Sequence, residues 1–321
     1  MEYQVYHHPI QLARPFKISR GSRTHCDLVR IEIQYNGDTV IGECTPYPRY
    51  GESVESVIIQ IKEMMTHIQS LSPNEAKDKL QTFSAGAARN AVDCALWRLI
   101  ALLNHSTFPV PYFTIDSQIE TAMTVSVGDC DTMYQQALEY VNLGAILLKV
   151  KLDSYDVIER VSAVRRAAPL AKIILDANEA WNDLDLEETF NDLKPFNITM
   201  IEQPVSAGQD QLLHNIPHPI PLCADESCHT LDDLDNLVNY YEMINIKLDK
   251  TGGLTGALEL ESRARDLGMS IMVGCMLGTS LSMKAALPIA TRADVVDLDG
   301  PVLLGSDHDD SLIYQDGLMM L

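Results

Sequence analysis

The sequence contains no apolar run close to the ~18 residues that a membrane-spanning helix needs. Its first residues, Met1–Gln4, also lack the basic and apolar regions of a signal peptide. Basic residues are scarce, since 24 Lys and Arg stand against 45 Asp and Glu, a formal net charge of −21. A chain this acidic is not expected to bind nucleic acid, because the phosphate backbone would repel it. We therefore expect a cytoplasmic protein that binds neither membrane nor nucleic acid.

Paired cysteines are also missing. Seven cysteines are scattered along the chain without a C-x-x-C motif, and the nearest two are Cys223 and Cys228. In a long cytosolic chain this pattern favours free thiols over disulfides. The 321 residues are 46% hydrophobic and 21% charged, which is typical of a soluble globular protein with one large domain or two smaller ones.

The N-terminal third, residues 1–113, has the pattern of an α+β domain. Alternating apolar residues from Val29 to Tyr35 predict a strand, and Asn36-Gly37 predicts a hairpin turn before a returning strand. A Pro- and Gly-rich loop follows at residues 43–52, and then three helical stretches at about 53–70, 73–82 and 86–103. Pro109 and Pro111 end the helical pattern and indicate a domain boundary near residue 113.

From about residue 120 a short unit repeats. Each unit has an apolar run that ends in a polar or small residue and is followed by a helical stretch. The last residues of successive runs are 151, 176, 202, 225, 247, 274 and 297, so the steps are 22 to 27 residues. Together with a first run at Thr124–Val127, this repeat predicts a closed parallel barrel at residues 114–300. We therefore predict an α/β fold: a modified TIM barrel of the (β/α)7β type with an α+β capping domain at residues 1–113, completed by the tail at about 301–321.

Charged residues lie at the predicted strand ends, where barrels of this class carry their chemistry. Asp176, Glu202 and Asp225 end three consecutive strands, and three clustered negative charges need a cation. Ligation by oxygen alone favours one hard divalent ion, Mg²⁺ or else Mn²⁺. The alternative is that each acid only caps the helix that follows it.

Lysines flank this predicted metal site. Lys149 and Lys151 are two apart on one strand and therefore face the same way, while Lys247 ends a strand on the far side of the barrel. Two bases on opposite faces of one bound carbon suit epimerisation, in which one lysine removes the α-proton and the other returns one. We expect the metal and Lys149 to lower the pKa of the two base lysines by charge repulsion. We also expect Lys149 and the metal to stabilise the enediolate that forms.

Five short segments resemble barrel motifs of the enolase superfamily, in its muconate-lactonizing-enzyme subgroup. They are Lys149-Val150-Lys151, Asp176-Ala177-Asn178, Glu202-Gln203-Pro204, Asp225-Glu226-Ser227 and Ile246-Lys247. Longer segments are similar to the dipeptide epimerases that act on L-Ala-D/L-Glu, especially their proteobacterial branch. These are Gly42–Ser53, Ala85–Trp97, Leu222–Thr230, Asn245–Thr255, Gly274–Ser280 and Asp297–Pro301.

The resemblance implies Mg²⁺ ligation by Asp176, Glu202 and Asp225, with Lys151 and Lys247 as the two bases. It further implies roles in binding a small anionic dipeptide, a fragment of cell-wall peptide. Asp297 and Asp299 would hold the ammonium group, Thr124 would contact the substrate, and an arginine of the cap would bind the glutamyl carboxylate. Both Arg20 and Arg23 are candidates for that arginine, and Arg23 is favoured.

Other residues receive weaker predictions. Tyr47 and Tyr50 are candidates to close over the pocket, His229, Cys275 and Met276 to line it, and Asn178 to orient a metal ligand. Lys250 is expected to be solvated.

Other functions stay open. They include an N-acylamino acid racemase, an o-succinylbenzoate synthase or a muconate cycloisomerase, a dipeptide epimerase of different specificity, a Schiff-base aldolase that uses Lys247, and a binding protein without catalysis. The oligomeric state is not predicted.

Overall fold

The cap is built from a three-stranded antiparallel sheet and three helices. The computed structural model describes residues 1–18 and 21–321, excluding the side chains of residues 17 and 18. The sheet has the order β1-β2-β3, and Asn36 and Gly37 form the predicted turn with positive φ angles of 54° and 94°. The elements are β1 (Glu2–Ile18), β2 (Gly21–Tyr35), β3 (Asp38–Cys44), α1 (Val54–Ile68), α2 (Pro73–Leu80) and α3 (Ala87–Leu103).

Local sequence explains where two cap helices begin. Ser53 and Ser72 each accept a hydrogen bond from the backbone three residues later, in reciprocal capping boxes. The apolar faces of the helices and the alternating residues of β2 then form one buried cluster. Gly42 of β3 is needed for this packing, because a Cβ atom there would lie 1.9 Å from the carbonyl oxygen of Ala91 in α3.

The second part is an eight-stranded parallel sheet whose strands run in chain order, as the sequence predicts. Its ends approach each other, since the backbone N–H of Ala122 donates to the carbonyl of Val296 at 2.9 Å. The strands are β5 (Met123–Val125), β6 (Leu147–Lys151), β7 (Lys172–Asp176), β8 (Met200–Glu202), β9 (Leu222–Ala224), β10 (Met243–Ile246), β11 (Ser270–Gly274) and β12 (Val295–Asp297). The predicted barrel class is therefore confirmed, with strand ends that differ from the predicted ones by a few residues.

Helices cover the outside of this barrel and share its largest hydrophobic cluster. Three of them, α7, α8 and α11, are a single turn long. The helices are α4 (Cys130–Asn142), α5 (Val157–Ala167), α6 (Leu186–Leu193), α7 (Leu234–Leu237), α8 (Leu248–Thr251), α9 (Leu254–Asp266), α10 (Ser280–Ala290) and α11 (Gly300–Leu303). No helix within the described ranges is both long and apolar enough to span a bilayer.

The C-terminal tail contacts both parts of the molecule. Leu304 forms an antiparallel bridge with Leu12 of β1 in the cap. The last two strands, β13 (Ile313–Gln315) and β14 (Leu318–Met320), form a hairpin, and β14 pairs with β4 (Gln118–Glu120) just before the barrel. Most of the tail thus lies beside the barrel, and the predicted domain boundaries stay predictions.

The cap is joined to the barrel by buried polar contacts. Glu43 of β3 accepts hydrogen bonds from Arg30 within the cap and from Thr279 and Ser282 of the barrel, at 2.8 to 3.0 Å. Asp249 of α8 accepts from the backbone of Thr45 at 3.1 Å. These contacts position the loop after β3 over the C-terminal ends of the barrel strands.

Candidate active site

Strand register places the predicted site residues at one end of the barrel. Lys151 pairs with Asp176, and Asp176 pairs with Glu202 on the next strand. Asp225 follows the next strand, β9, directly. Lys151 and Lys247 belong to β6 and to the residue after β10, four strands apart in an eight-stranded barrel, so they lie on opposite sides. The structure therefore brings the predicted bases and acids together.

Lys149 lies at the centre of these acids and is 1% exposed. Its Nζ atom is 3.0 Å from Asp176, 2.7 Å from Glu202 and 2.8 Å from Asp297. Burial opposes protonation of Lys149, but these carboxylates outweigh it and raise its pKa well above the ordinary value. Lys149 is therefore a fixed positive charge. A group that stabilises negative charge on a substrate needs this property.

The two predicted bases each contact one predicted metal ligand. Nζ of Lys151 is 2.5 Å from Asp176, and Nζ of Lys247 is 2.6 Å from Asp225. Lys149 lowers the pKa of Lys247 as expected, but the protein's own groups together do not, and the expected effect of the metal stays a prediction. Burial and Lys149 lower the pKa of Lys247, yet Asp225 and Glu202 outweigh them and raise it. A neutral Lys247 therefore requires another cation to compensate these carboxylates.

Lys250 corrects a second expectation, because it is not solvated. It is 1% exposed and donates to Asp225 Oδ1 at 2.7 Å, to the Asp225 carbonyl at 2.6 Å and to the Asn245 carbonyl at 2.9 Å. Its position one turn after Lys247, in the short helix α8, turns the side chain back under strand β9. Lys250 therefore fixes the orientation of Asp225.

Asn245 and Gln203, which the sequence reasoning missed, and the predicted Asn178 also form hydrogen bonds with the three acids. Asn245 donates to Glu202 Oε1 at 2.8 Å, and Gln203 Oε1 accepts from the backbone of Asp225 at 2.8 Å. Asn178 contacts the predicted ligand Asp176 through its backbone N–H, at 2.9 Å. Asn245 lies two residues before Lys247 in the same extended segment, so both side chains face the barrel interior. This alternation is the sequence signal that could have identified Asn245.

The donor set fits a hard divalent cation. Among residues 1–18 and 21–321, no three His, Cys, Asp or Glu side chains are already arranged to hold a metal ion. The acids nevertheless offer only carboxylate oxygens, the ligands that Mg²⁺ prefers. Oε2 of Glu202 is buried and accepts no well-directed hydrogen bond within the described residues. Burial, followed by repulsion from Asp176, raises the pKa of Glu202 to about 8. Lys149 is the near cation of this oxygen, at 2.7 Å, and the raised pKa shows that it does not fully compensate the carboxylate, so a divalent cation would add the missing positive charge.

Asp297 and Asp299 form an acidic pair beside Lys149. Asp299 accepts a hydrogen bond from the backbone of Thr124 at 2.8 Å, and the contact of Thr124 with the substrate stays a prediction. Burial, followed by repulsion from Asp297, raises the pKa of Asp299 to about 7. Oδ1 of Asp297 is buried and has no hydrogen-bond partner within the described residues. An ammonium group placed between these two carboxylates would compensate both.

One cavity of about 470 Å³ connects these groups. Lys149, Lys151, Lys247, Asp297 and Asp299 line it, together with Thr124. Asp225, Cys275 and Met276 lie in the wall as well. The cap contributes Arg23 and the loop that carries Tyr47 and Tyr50. Arg20 lies outside the described residues, whereas Arg23 is placed at the cavity. The cavity has the size of a small-molecule site.

The fold and this arrangement of acids and lysines define an enzyme of the enolase superfamily. The family "Mandelate racemase / muconate lactonizing enzyme, N-terminal domain" matches residues 1–106, and the family "Enolase C-terminal domain-like" matches residues 132–320. An L-Ala-D/L-Glu epimerase of Escherichia coli (strain K12) is 44% identical over 319 residues, 99% of each chain. An N-acetyl-D-glutamate racemase of Pseudoalteromonas sp. is 46% identical over 279 residues, 86% of this chain and 87% of the relative.

A crystal structure of a related protein has the same fold. An enolase family member of Agrobacterium tumefaciens with homology to dipeptide epimerases, containing sodium and L-Ala-L-Glu, superposes with a TM-score of 0.93. It is 46% identical and matches 99% of this chain and 97% of its own. The chain belongs to the mandelate racemase / muconate lactonizing enzyme family of the enolase superfamily, and it is an isomerase of the amino-acid or dipeptide epimerase kind. The resemblance seen in the sequence is thereby confirmed.

Proposed function

We propose that the protein is a Mg²⁺-dependent epimerase of L-Ala-D/L-Glu, acting at the α-carbon of the glutamyl residue. The observation that carries this proposal is the opposed pair Lys151 and Lys247, which line one cavity from strands four positions apart. A racemising centre needs a proton donor and acceptor on both faces of one carbon, and this pair supplies them.

In this proposal the lysines move protons and the acids set their charge. One of Lys151 and Lys247 accepts the α-proton in its neutral form, and the conjugate acid of the other delivers a proton to the opposite face. Lys149 donates a hydrogen bond to the carboxylate oxygen on which negative charge develops. Mg²⁺ held by Asp176, Glu202 and Asp225 would supply further positive charge and compensate the acids that keep Lys247 protonated.

Substrate recognition follows from the charges that line the cavity. Asp297 and Asp299 would bind the ammonium group of the dipeptide, near the backbone of Thr124. Arg23 on the cap side would bind the glutamyl side-chain carboxylate, since an arginine matches the planar geometry of that group. The epimerase of Escherichia coli, alike over nearly its whole length, supports this dipeptide as the substrate.

A second candidate activity is the racemisation of N-acetyl-glutamate, favoured by the likeness to the Pseudoalteromonas racemase. That substrate has the same glutamyl group but no ammonium group. Asp297→Asn and Asp299→Asn, separately and together, distinguish the two. For a dipeptide epimerase these changes abolish dipeptide turnover while sparing Mg²⁺ binding, whereas turnover of N-acetyl-glutamate would survive them.

The test of the main proposal is proton exchange in D₂O. The purified enzyme with Mg²⁺ is incubated with L-Ala-L-Glu or L-Ala-D-Glu and the products are followed by mass spectrometry and chiral separation. We expect one deuterium at the glutamyl α-carbon, none at the alanyl carbon, and loss of activity in EDTA that Mg²⁺ restores. No exchange at that carbon would end the proposal. Activity that survives EDTA and is trapped by borohydride would instead favour a Schiff-base enzyme.

A further inference from the structure

A row of stacked side chains joins the cap to the barrel beside the cavity. The guanidinium carbon of Arg23 lies 5.3 Å from the centre of the Tyr47 ring. The rings of Tyr47 and Tyr50 are 5.1 Å apart, and those of Tyr50 and His229 are 4.3 Å apart, both edge to face. We call these four residues the aromatic bridge. It runs from strand β2 of the cap, through the loop after β3, to the loop after strand β9 of the barrel.

The loop that carries Tyr47 and Tyr50 is held firmly. Pro48–Tyr50 form one 3-10 turn, in which the Tyr50 N–H donates to the Tyr47 carbonyl at 2.9 Å. Glu52 accepts from the backbone of Tyr47 at 3.0 Å, and its other oxygen accepts from Ala87 at the start of α3 at 2.8 Å. The backbone that carries the Tyr47 ring is therefore fixed by contacts within the cap.

A second contact attaches the same loop to the barrel. Arg49 forms two hydrogen bonds with Glu179, at 2.9 and 2.7 Å, in the loop after β7. Glu179 also accepts from the backbone of Ala207 at 2.9 Å. The loop is thus fastened to the barrel on two sides of the cavity, by Arg49 on one side and by His229 on the other.

His229 completes the bridge as a neutral aromatic ring. Burial, assisted by the positive charge of Lys250, lowers the pKa of His229 to about 4. The imidazole therefore packs against Tyr50 without adding a positive charge beside the cavity.

We propose that Tyr47 is a positioning residue that makes the enzyme selective for an acidic side chain. The Arg23 guanidinium lies over the Tyr47 ring, and Arg23 also lines the cavity, so the ring can hold the guanidinium beside the space where a carboxylate would bind. Without the ring, Arg23 would populate several rotamers, and binding a carboxylate would first have to order it. The inference rests on the proposed function, because it concerns how the glutamyl carboxylate is bound.

The test compares an acidic ligand with its neutral isostere. For wild type and variants we measure kcat and KM for L-Ala-L-Glu, and the inhibition constant of L-Ala-L-Gln as a competitor. In Tyr47→Leu we expect KM for L-Ala-L-Glu to rise roughly three- to thirty-fold with little change in kcat. The inhibition constant of L-Ala-L-Gln should stay within about two-fold, because that ligand makes no ion pair. Tyr47→Phe, which keeps the ring, should behave as wild type.

Two controls separate positioning from general damage. Tyr155→Leu removes an exposed tyrosine, 71% exposed, and should change nothing. Arg23→Met removes the guanidinium itself, and adding Tyr47→Leu to it should have no further effect on KM. Tyr47→Met replaces the leucine variant if thermal denaturation shows that the latter is unfolded.

Each possible result either supports or overturns the proposed role of Tyr47. A rise in KM for the acidic ligand alone, rescued by phenylalanine, supports the proposal. Equal weakening of both ligands shows a structural role for Tyr47 and overturns it, as does a leucine variant that matches wild type. If wild type does not turn over L-Ala-L-Glu at all, the proposed function fails and this inference fails with it.

Discussion

Replacing Lys250 by methionine should destabilise the protein strongly, although Lys250 makes no contact with the surface. Methionine is similar in length and fills the same space without charge. The change removes three hydrogen bonds, two of them to Asp225 and one to Asn245. It leaves the Asp225 carboxylate, which is 1% exposed, with the ammonium group of Lys247 as its remaining ion pair among the described contacts.

The expected loss of unfolding free energy follows from the burial of the Lys250–Asp225 ion pair. Removing one partner of a buried ion pair costs about 3–5 kcal/mol, because the remaining charge stays buried without compensation. Lys247 still contacts the other carboxylate oxygen, so we expect a value near the lower end, about 3 kcal/mol. The matched control is Lys172→Met. Lys172 and Glu120 are 59% and 31% exposed and form a surface pair, whose loss costs at most about 1 kcal/mol.

The measurement is urea unfolding in EDTA, so that only the protein's own charges act. The free energy of unfolding is compared between wild type, Lys250→Met and Lys172→Met. A loss in Lys250→Met that does not exceed the loss in Lys172→Met would refute the reasoning. It would show that Asp225 does not depend on Lys250 for its compensation.

Three further predictions follow from other contacts. Lys151→Ala and Lys247→Ala should each slow epimerisation by roughly 10²- to 10⁴-fold, measured by polarimetry, while calorimetry still detects the dipeptide; retained turnover would exclude these lysines as bases. Burial raises the pKa of Asp249 from 3.8 to about 7, so folding binds a proton and stability is lost as the pH rises between these values. Asp249→Asn should therefore remove roughly 3 kcal/mol of pH-dependent difference between pH 4 and 7 in urea titrations, and an unchanged profile would contradict it. Gly42→Ala should lower the unfolding free energy by about 1–3 kcal/mol, because the new methyl group meets the Ala91 carbonyl; wild-type stability would show that this packing adjusts.

The barrel could be predicted because its pattern is local and repeated. Each strand is a short apolar run, and the charged residue at its end, such as Asp176 or Glu202, marks the same level of the barrel. Parallel register then brings these ends together without further information. The resemblance to a family added roles for the cap arginine and for Asp297 and Asp299. Those roles remain predictions that the proposed experiments test.

Contacts between distant segments could not be predicted in the same way. Lys250 follows Lys247 in a polar stretch that reads as a solvated helix start, and its burial under strand β9 depends on how tightly the helix turns back. The aromatic bridge brings together Tyr47 and His229, which are 182 positions apart in the sequence. Nor does the sequence indicate that β14 pairs with β4, because short strands of this kind have weak patterns of their own.

The buried Glu43 has a consequence for how ligands enter. Its carboxylate is buried and accepts hydrogen bonds from both halves of the molecule, so separating the halves would break its bonds to Thr279 and Ser282 while the Arg30 pair stays within the cap. Swinging the cap away as a rigid body would therefore cost several buried hydrogen bonds. We expect entry and exit to use small local displacements at the rim instead, so that turnover responds to changes in rim segments more than to changes along the seam.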